Sequence, residues 1–377
     1  MKGNSFMIKE ITSQPKLWRD TYEYITIKKD QINGFLSEIY KLGNVQIILT
    51  GAGSSAFIGE IIQHSFNKNT KVPVKAIPTT DLVTHPRDFF QKSIPTLLIS
   101  FARSGDSPES LATFELAEKL NDVIFHLVIT CNPEGKLAKM AIDKKNSLIL
   151  LLPEGTNDKA LAMTSSFTCM ALAGLLISDI DNLEANGKNV NPLIEYGNRI
   201  LDKYASELNE VADLDFKRIV FLGSGPLKGA AKESHLKVIE LTDGQIICMY
   251  DSFMGFRHGP KAIIDETTLL IYLFSSDPYV YSYEVDLVQS INKTENFLFG
   301  IGIGQGFTKL QNLNLNLAID LNTGRKSLPD DFFSLCSIIP AQVLGFYKSL
   351  SLGLTPDSPS KNGGIHRIVQ GVTIYPY

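Results

Sequence analysis

Cysteine is scarce in this sequence: four in 377 residues, at positions 131, 169, 248 and 336. No two are close enough for a CxxC metal or redox site, and four in so long a chain cannot make a disulfide framework. Buried free thiols in a reducing compartment are expected. A basic excess is also missing. Lys and Arg total 36 against 40 Asp and Glu, a net charge of −4, whereas a protein that neutralises nucleic-acid phosphates shows a positive balance. No nucleic-acid partner is expected. Long apolar runs are absent too. The uncharged stretch Ala160 to Ser178 comes nearest, but Thr164, Ser165, Ser166 and Thr168 break up its first half, and the rest is too short to span a bilayer. It reads as a buried helix. The start, from Met1 to Phe6 and on to Lys9 and Glu10, lacks the apolar core of a signal peptide. No membrane partner and a cytoplasmic setting are expected. His64, His85, His126 and His235 stand in no cluster with metal-ligand spacing, so no metal is expected.

What is present is an α/β pattern of two-domain length. The first forty residues read as a helical arm, with Trp18, Tyr22, Ile25 and Lys29 at helix spacing after Pro15, a good first-turn residue. Short, almost wholly apolar runs follow, at Val45 to Thr50, Thr96 to Ser100, His126 to Thr130 and Ser147 to Leu152. Such runs, separated by helical segments, are what a parallel sheet covered on both faces requires. The pattern then begins again at Arg218 to Leu222. Gly51 and Gly223 stand 172 positions apart, as do Thr96-Leu97-Leu98-Ile99 and Thr268-Leu269-Leu270-Ile271. Two matches at one offset indicate an internal duplication. The expected organisation is an arm over residues 1–40, a first doubly wound domain over 41–185, a second over 200–365 and a tail over 366–377. The Asn-rich, charged stretch Asp179 to Asn198 reads as a connector.

Ligands of such sheets bind beyond the carboxyl ends of the strands. Gly51-Ala52-Gly53-Ser54-Ser55 leaves a strand and opens a helix, where glycines let an anion approach the backbone and hydroxyls add donors. A dinucleotide fits less well: position 56 is Ala, so GxGxxG is incomplete, and the next strand shows no terminal acid. No cofactor is expected. The second such turn, Ser100 to Ser110, carries Arg103, Ser104 and Ser107. Ser107 before Pro108 is a good helix cap in its own right. A capped helix start and an anion site use the same N–H groups, and two Ser-rich strand ends favour one phosphate. The corresponding second-domain turns, Gly223-Ser224-Gly225-Pro226 and Ser275-Ser276-Asp277-Pro278, fit a phosphate less well because of Pro226 and Asp277.

In the second domain Glu233, Lys237 and Glu240 follow at i, i+4 and i+7, one face of one helix. A solvated ion-paired face would be the ordinary reading, but Leu236, Val238, Ile239 and Leu241 make this helix mostly buried, and a buried carboxylate beside a lysine suits tuned acid–base chemistry. His258, bounded by Gly255, Gly259 and Pro260, belongs to an exposed turn.

Gly51-Ala52-Gly53-Ser54-Ser55 and Arg103-Ser104-Gly105-Asp106-Ser107 resemble the two phosphate loops of the sugar isomerase (SIS) family. The tandem order resembles the isomerase half of glucosamine-fructose-6-phosphate aminotransferase. Ser100 to Gly105, Arg257-His258-Gly259-Pro260-Lys261 and the tail Val369 to Tyr375 are most similar to the tagatose-6-phosphate ketose/aldose isomerase branch, also described as galactosamine-6-phosphate isomerase-deaminase. The resemblance implies two tandem SIS domains, each a flavodoxin-like parallel sheet. It implies phosphate binding by Ser54, Ser55, Arg103, Ser104 and Ser107. It also implies a proton carrier at Glu240, a sugar contact at Lys237 and ring opening by His258. The aminotransferase's imine-forming lysine corresponds to Gln370 here, with Lys361 in a separate loop, and its glutamine-hydrolysing domain is not expected.

The implied reaction is isomerisation of an amino-sugar 6-phosphate, with galactosamine 6-phosphate giving tagatose 6-phosphate and ammonium. An aldose–ketose isomerase of a hexose 6-phosphate is the first alternative and a non-catalytic sugar-phosphate sensor the second. The resemblance also implies a homodimer or larger assembly with sites between subunits.

Overall fold

The computed structural model describes residues 5–309, 313–322, 324 and 327–377. The first four residues of the expected arm and signal-free start, Met1 to Asn4, lie outside the described residues. Among the described residues there are two five-stranded, wholly parallel sheets. The first contains β1 (Gln46–Thr50), β2 (Val74–Ala76), β3 (Thr96–Ala102), β4 (Ile124–Thr130) and β5 (Ser147–Leu151) in the order β2-β1-β3-β4-β5. The second contains β6 (Arg218–Leu222), β7 (Ile247–Asp251), β8 (Thr268–Leu273), β9 (Phe299–Gly304) and β10 (Leu317–Asp320) in the order β7-β6-β8-β9-β10. Strand for strand, this is one topology used twice. The register agrees as well: Gln46 lies opposite Thr96 and Arg218 opposite Thr268, each residue of the second pair 172 positions after its counterpart.

The physical cause is burial on both faces. Every residue of β3 and β8 is buried, and a strand buried along its whole length needs a layer of helices on each face. Two compact units result. The first comprises residues 16–159, 163–190 and 365–377, and the second comprises residues 1–15, 160–162 and 191–364.

One local expectation is corrected and two gain detail. Helix Phe6–Tyr40 begins well before Pro15 and carries that proline in its interior. Pro15 has no N–H for the Ile11 carbonyl. Gln14 supplies the missing donor: its Nε2 reaches Ile11 O at 3.0 Å and the buried Gln342 Oε1 at 2.7 Å. The uncharged stretch from Ala160 is helical only over Ser165–Ser178, where every residue is buried. Its apolar surface is core, and among the described residues no single helix is long and apolar enough to cross a membrane. The Asn-rich connector contains helices Leu183–Gly187 and Val190–Arg199. Buried Leu183, Val190, Leu193 and Tyr196 give them an apolar side that composition alone conceals.

Candidate functional site

In the first unit β1 and β3 are neighbours, with Thr50 opposite Ser100, so the turns that leave them start side by side. Gly51 has no room for a side chain, because a Cβ there would come within 2.6 Å of the Ser55 backbone. Gly53 has φ 56°, a region open chiefly to glycine. This turn lets helix Ser54–Thr70 begin directly at the two serines, both nearly buried. The amides of Ser55 and Ala56 close the turn on the carbonyls of Ala52 and Gly53 at 3.1 and 3.0 Å. Those two amides are therefore engaged within the turn itself.

The turn after β3 brings Ser104 and Ser107 to the same sheet end. The Ser104 hydroxyl accepts from Asp106 N–H at 3.3 Å, and Ser107 Oγ donates to Ser110 Oγ at 2.6 Å. Ser107 stands at the N-cap of helix Pro108–Leu120, yet its side chain makes no cap hydrogen bond. Arg103 follows β3 directly in the same turn. It is buried, and its Nη2 donates to the carbonyl of Arg367 at 2.6 Å. Arg367 in turn donates through Nε to the Asp158 carbonyl at 2.9 Å and through Nη2 to Asn157 Oδ1 at 2.7 Å. The fully buried Asp158 carboxylate receives the N–H groups of Thr164, Ser165 and Ser166 at 2.8, 3.2 and 2.9 Å, together with their three hydroxyls. Sequence reading passed over Asp158 and Arg367. An Asp ahead of Thr-Ser-Ser and an apolar helix was the available signal for the first, whereas nothing local marks the second.

In the second unit, helix Pro226–Leu241 places Glu233, Lys237 and Glu240 together as the spacing predicts. Lys237 Nζ lies 3.2 Å from Glu233 Oε1 and 2.6 Å from Glu240 Oε2. Glu233 and Lys237 are fully buried, whereas the Glu240 side chain keeps 21% of its surface exposed. Burial by itself would push the lysine down, but the two carboxylates outweigh it, and its pKa is raised above the ordinary value. Lys237 is thus a fixed cation that orients Glu240, the one member of the group open to a ligand.

His258 is exposed in the turn after the short helix Phe253–Phe256, with its N–H on the Gly255 carbonyl at 2.9 Å. The turn is tied to helix Pro278–Thr294 by Arg257 to Asp286 at 2.5 Å. This places His258 on the opposite face of the sheet from Glu240. Phe253 and Phe256 pack with Val220, Leu222, Leu270 and Tyr272, the even-numbered side chains of β6 and β8, and with Val285 and Val288. Strand side chains alternate between faces, and right-handed crossovers from β6 to β7 and from β7 back to β8 must cover opposite faces. On its own face, Leu241 of the Glu240 helix packs against Gly345 of helix Ile339–Ser351.

No cluster of potential metal ligands occurs among the described residues.

The SIS domain family matches residues 41–177. D-galactosamine-6-phosphate deaminase AgaS of Shewanella sp. (strain ANA-3) is 40% identical over 378 residues, which cover 100% of this chain and 93% of the relative. The chain belongs to the SIS family. Within it, a tagatose-6-phosphate ketose/aldose isomerase structure from Clostridium novyi NT superposes with a TM-score of 0.95 at 43% identity, covering 99% of this chain and 95% of that one. The Escherichia coli structure of the same description gives 0.88 at 37% identity, with 99% and 97% covered. The C-terminal domain of glucosamine-fructose-6-phosphate aminotransferase from Francisella tularensis shares the fold, at a TM-score of 0.79 and 18% identity over 94% of this chain and 99% of that one. The chain is thus similar over its whole length to enzymes of sugar-phosphate chemistry, and the sensor alternative falls away.

Proposed function

We propose that this SIS-family protein converts galactosamine 6-phosphate and water to tagatose 6-phosphate and ammonium. The observation that carries the proposal is the full-length likeness to the Shewanella deaminase. The geometry supports a division of labour. Ser54, Ser55, Ser104 and Ser107 grip the phosphate through charge-assisted hydrogen bonds. Arg103, engaged with the Arg367 carbonyl, holds the C-terminal segment beside them. His258 assists ring opening. Glu240, oriented by Lys237, takes the proton from carbon 2 of the open-chain aldehyde. The enolamine formed accepts a proton at carbon 1. The resulting carbon-2 imine adds water, and the carbon–nitrogen bond breaks to leave the ketone and ammonium. Each step is a proton transfer or a hydration, chemistry these side chains can perform unaided.

The sheet lies between Glu240 and His258 of one chain, which favours His258 being supplied by a second copy. The corresponding test mixes E240Q chains with H258N chains. Recovery of activity in the mixture is expected, and its absence would mean that one chain supplies both groups. The duplicated topology further supports an ancestral single-sheet unit.

A second reading keeps the proton transfer and omits ammonia loss, because the solved Clostridium novyi and Escherichia coli structures are described as ketose/aldose isomerases. The two readings separate on incubation with galactosamine 6-phosphate, glucosamine 6-phosphate and tagatose 6-phosphate. Ammonia release from the first substrate is expected. Interconversion of tagatose and galactose 6-phosphates with no ammonia from either amino sugar would replace deamination with plain isomerisation.

A further inference from the structure

The strand-end turns of the second unit have the framework of an anion site. Gly225, after β6, has φ 54° and ψ −126°, against 56° and −129° for Gly53 after β1. The turn after β8 is a pair of serines ahead of a 17-residue helix. Yet its donors are already engaged. Ser275 N–H donates to Glu284 Oε2 at 2.9 Å, and the Ser224 hydroxyl bonds to the same carboxylate. Ser276 N–H and hydroxyl lie 3.0 and 3.1 Å from Asp330 Oδ1, and the Ser275 hydroxyl donates to Asp330 Oδ2. Asp277 takes the amides of Tyr279 and Val280 at 2.8 and 3.2 Å. Pro226, first in its helix, has no N–H to give. Glu284 is fully buried although it carries a carboxylate, and a buried acid on the inner side of an N–H- and hydroxyl-lined turn has the place and partners of a bound anion.

We infer that the second unit contains a built anion cradle whose occupant is the chain itself, with Glu284 and Asp330 standing in for phosphate oxygens. When both are ionised, the two carboxylates match the charge of a phosphate dianion, so an entering phosphate meets repulsion and finds the Ser224, Ser275 and Ser276 donors already engaged. Each chain accordingly takes one phosphate. This count rests on the reading of the first unit's serines as the phosphate site.

Equilibrium dialysis of the intact protein with inorganic phosphate at pH 8 tests the inference. One phosphate per wild-type chain is expected, and two would overturn it. The cradle has its own readout, the increment over wild type when its carboxylates are removed. E284A/D330S should bind one more phosphate per chain, at millimolar concentration, and a folded variant with no increment would overturn the assignment. Should that variant fail to fold, S224A/S276A keeps both carboxylates in place. Unchanged phosphate binding is expected from it, and a tenfold weakening would show that phosphate uses the cradle. S55A/S104A tests the first-unit reading separately: if it binds phosphate like wild type, that reading fails, while the increment in E284A/D330S still stands or falls alone.

Discussion

The turns after β1 and β6 have the same backbone, as do the sheets they leave, and the two units nonetheless present opposite chemistry at their strand ends. In the first, Ser107 heads its helix without capping it, and Ser54, Ser55 and Ser104 surround the turn with hydroxyls. In the second, Asp277 caps the matching helix and Glu284 and Asp330 take up the serine donors. Backbone geometry fixes where donors point. A few side chains decide whether those donors are claimed by carboxylates of the chain, as in the second unit. In the second unit the groups proposed to react lie away from these strand ends, on the helix of Glu240 and in the turn of His258.

The largest effect expected from this contrast is in turnover. E240Q keeps size and most hydrogen bonds but removes the base proposed above, so it should bind sugar phosphate normally and lose about 10²–10⁴ in rate. Exchange of the carbon-2 proton with deuterated solvent should stop with it. Exchange at the wild-type rate would transfer the role to another group, Glu233 first.

Next comes the buried carboxylate of the closed cradle. Burial, more than any other influence, pushes Glu284 up to about 7 from an ordinary 4.5. The folded state therefore holds an extra proton between those values, and stability falls as pH rises through that window, by about 3 kcal/mol in all. E284Q abolishes this titration. Its melting temperature relative to wild type should be higher at pH 8 than at pH 5, and a difference independent of pH would contradict the burial argument.

A somewhat smaller change is expected at the open turn. S104A removes one of the hydrogen bonds proposed to hold the phosphate, worth ~1.5–3 kcal/mol, so KM should rise about tenfold to a hundredfold with little loss of kcat. An unaltered KM would take Ser104 out of the phosphate grip.

The two helix caps give the smallest effect and the sharpest contrast. D277A should cost about 1 kcal/mol of stability, because the aspartate satisfies two helix amides. S107A should leave stability nearly unchanged, because that hydroxyl makes no cap bond, but it should weaken substrate binding. Equal losses of stability in chemical denaturation would erase the distinction.

Much of this was legible along the chain. The strands show as apolar runs because a strand buried on both faces tolerates little else, and the 172-residue offset shows because two units with one topology need apolar residues at matching places. The Glu233, Lys237 and Glu240 group follows from helical period alone. Tertiary structure decided the rest. Pro15 could stand inside a helix because Gln14 replaced its missing donor. Arg103 turned to a carbonyl 264 positions away, Glu284 entered a turn from the helix beyond it, and the β7–β8 connection put His258 on the far side of a sheet from Glu240. Propensity and periodicity act between near neighbours, and sequence records them directly. Which donor meets which acceptor across hundreds of residues is settled only when burial forces every polar group to find a partner.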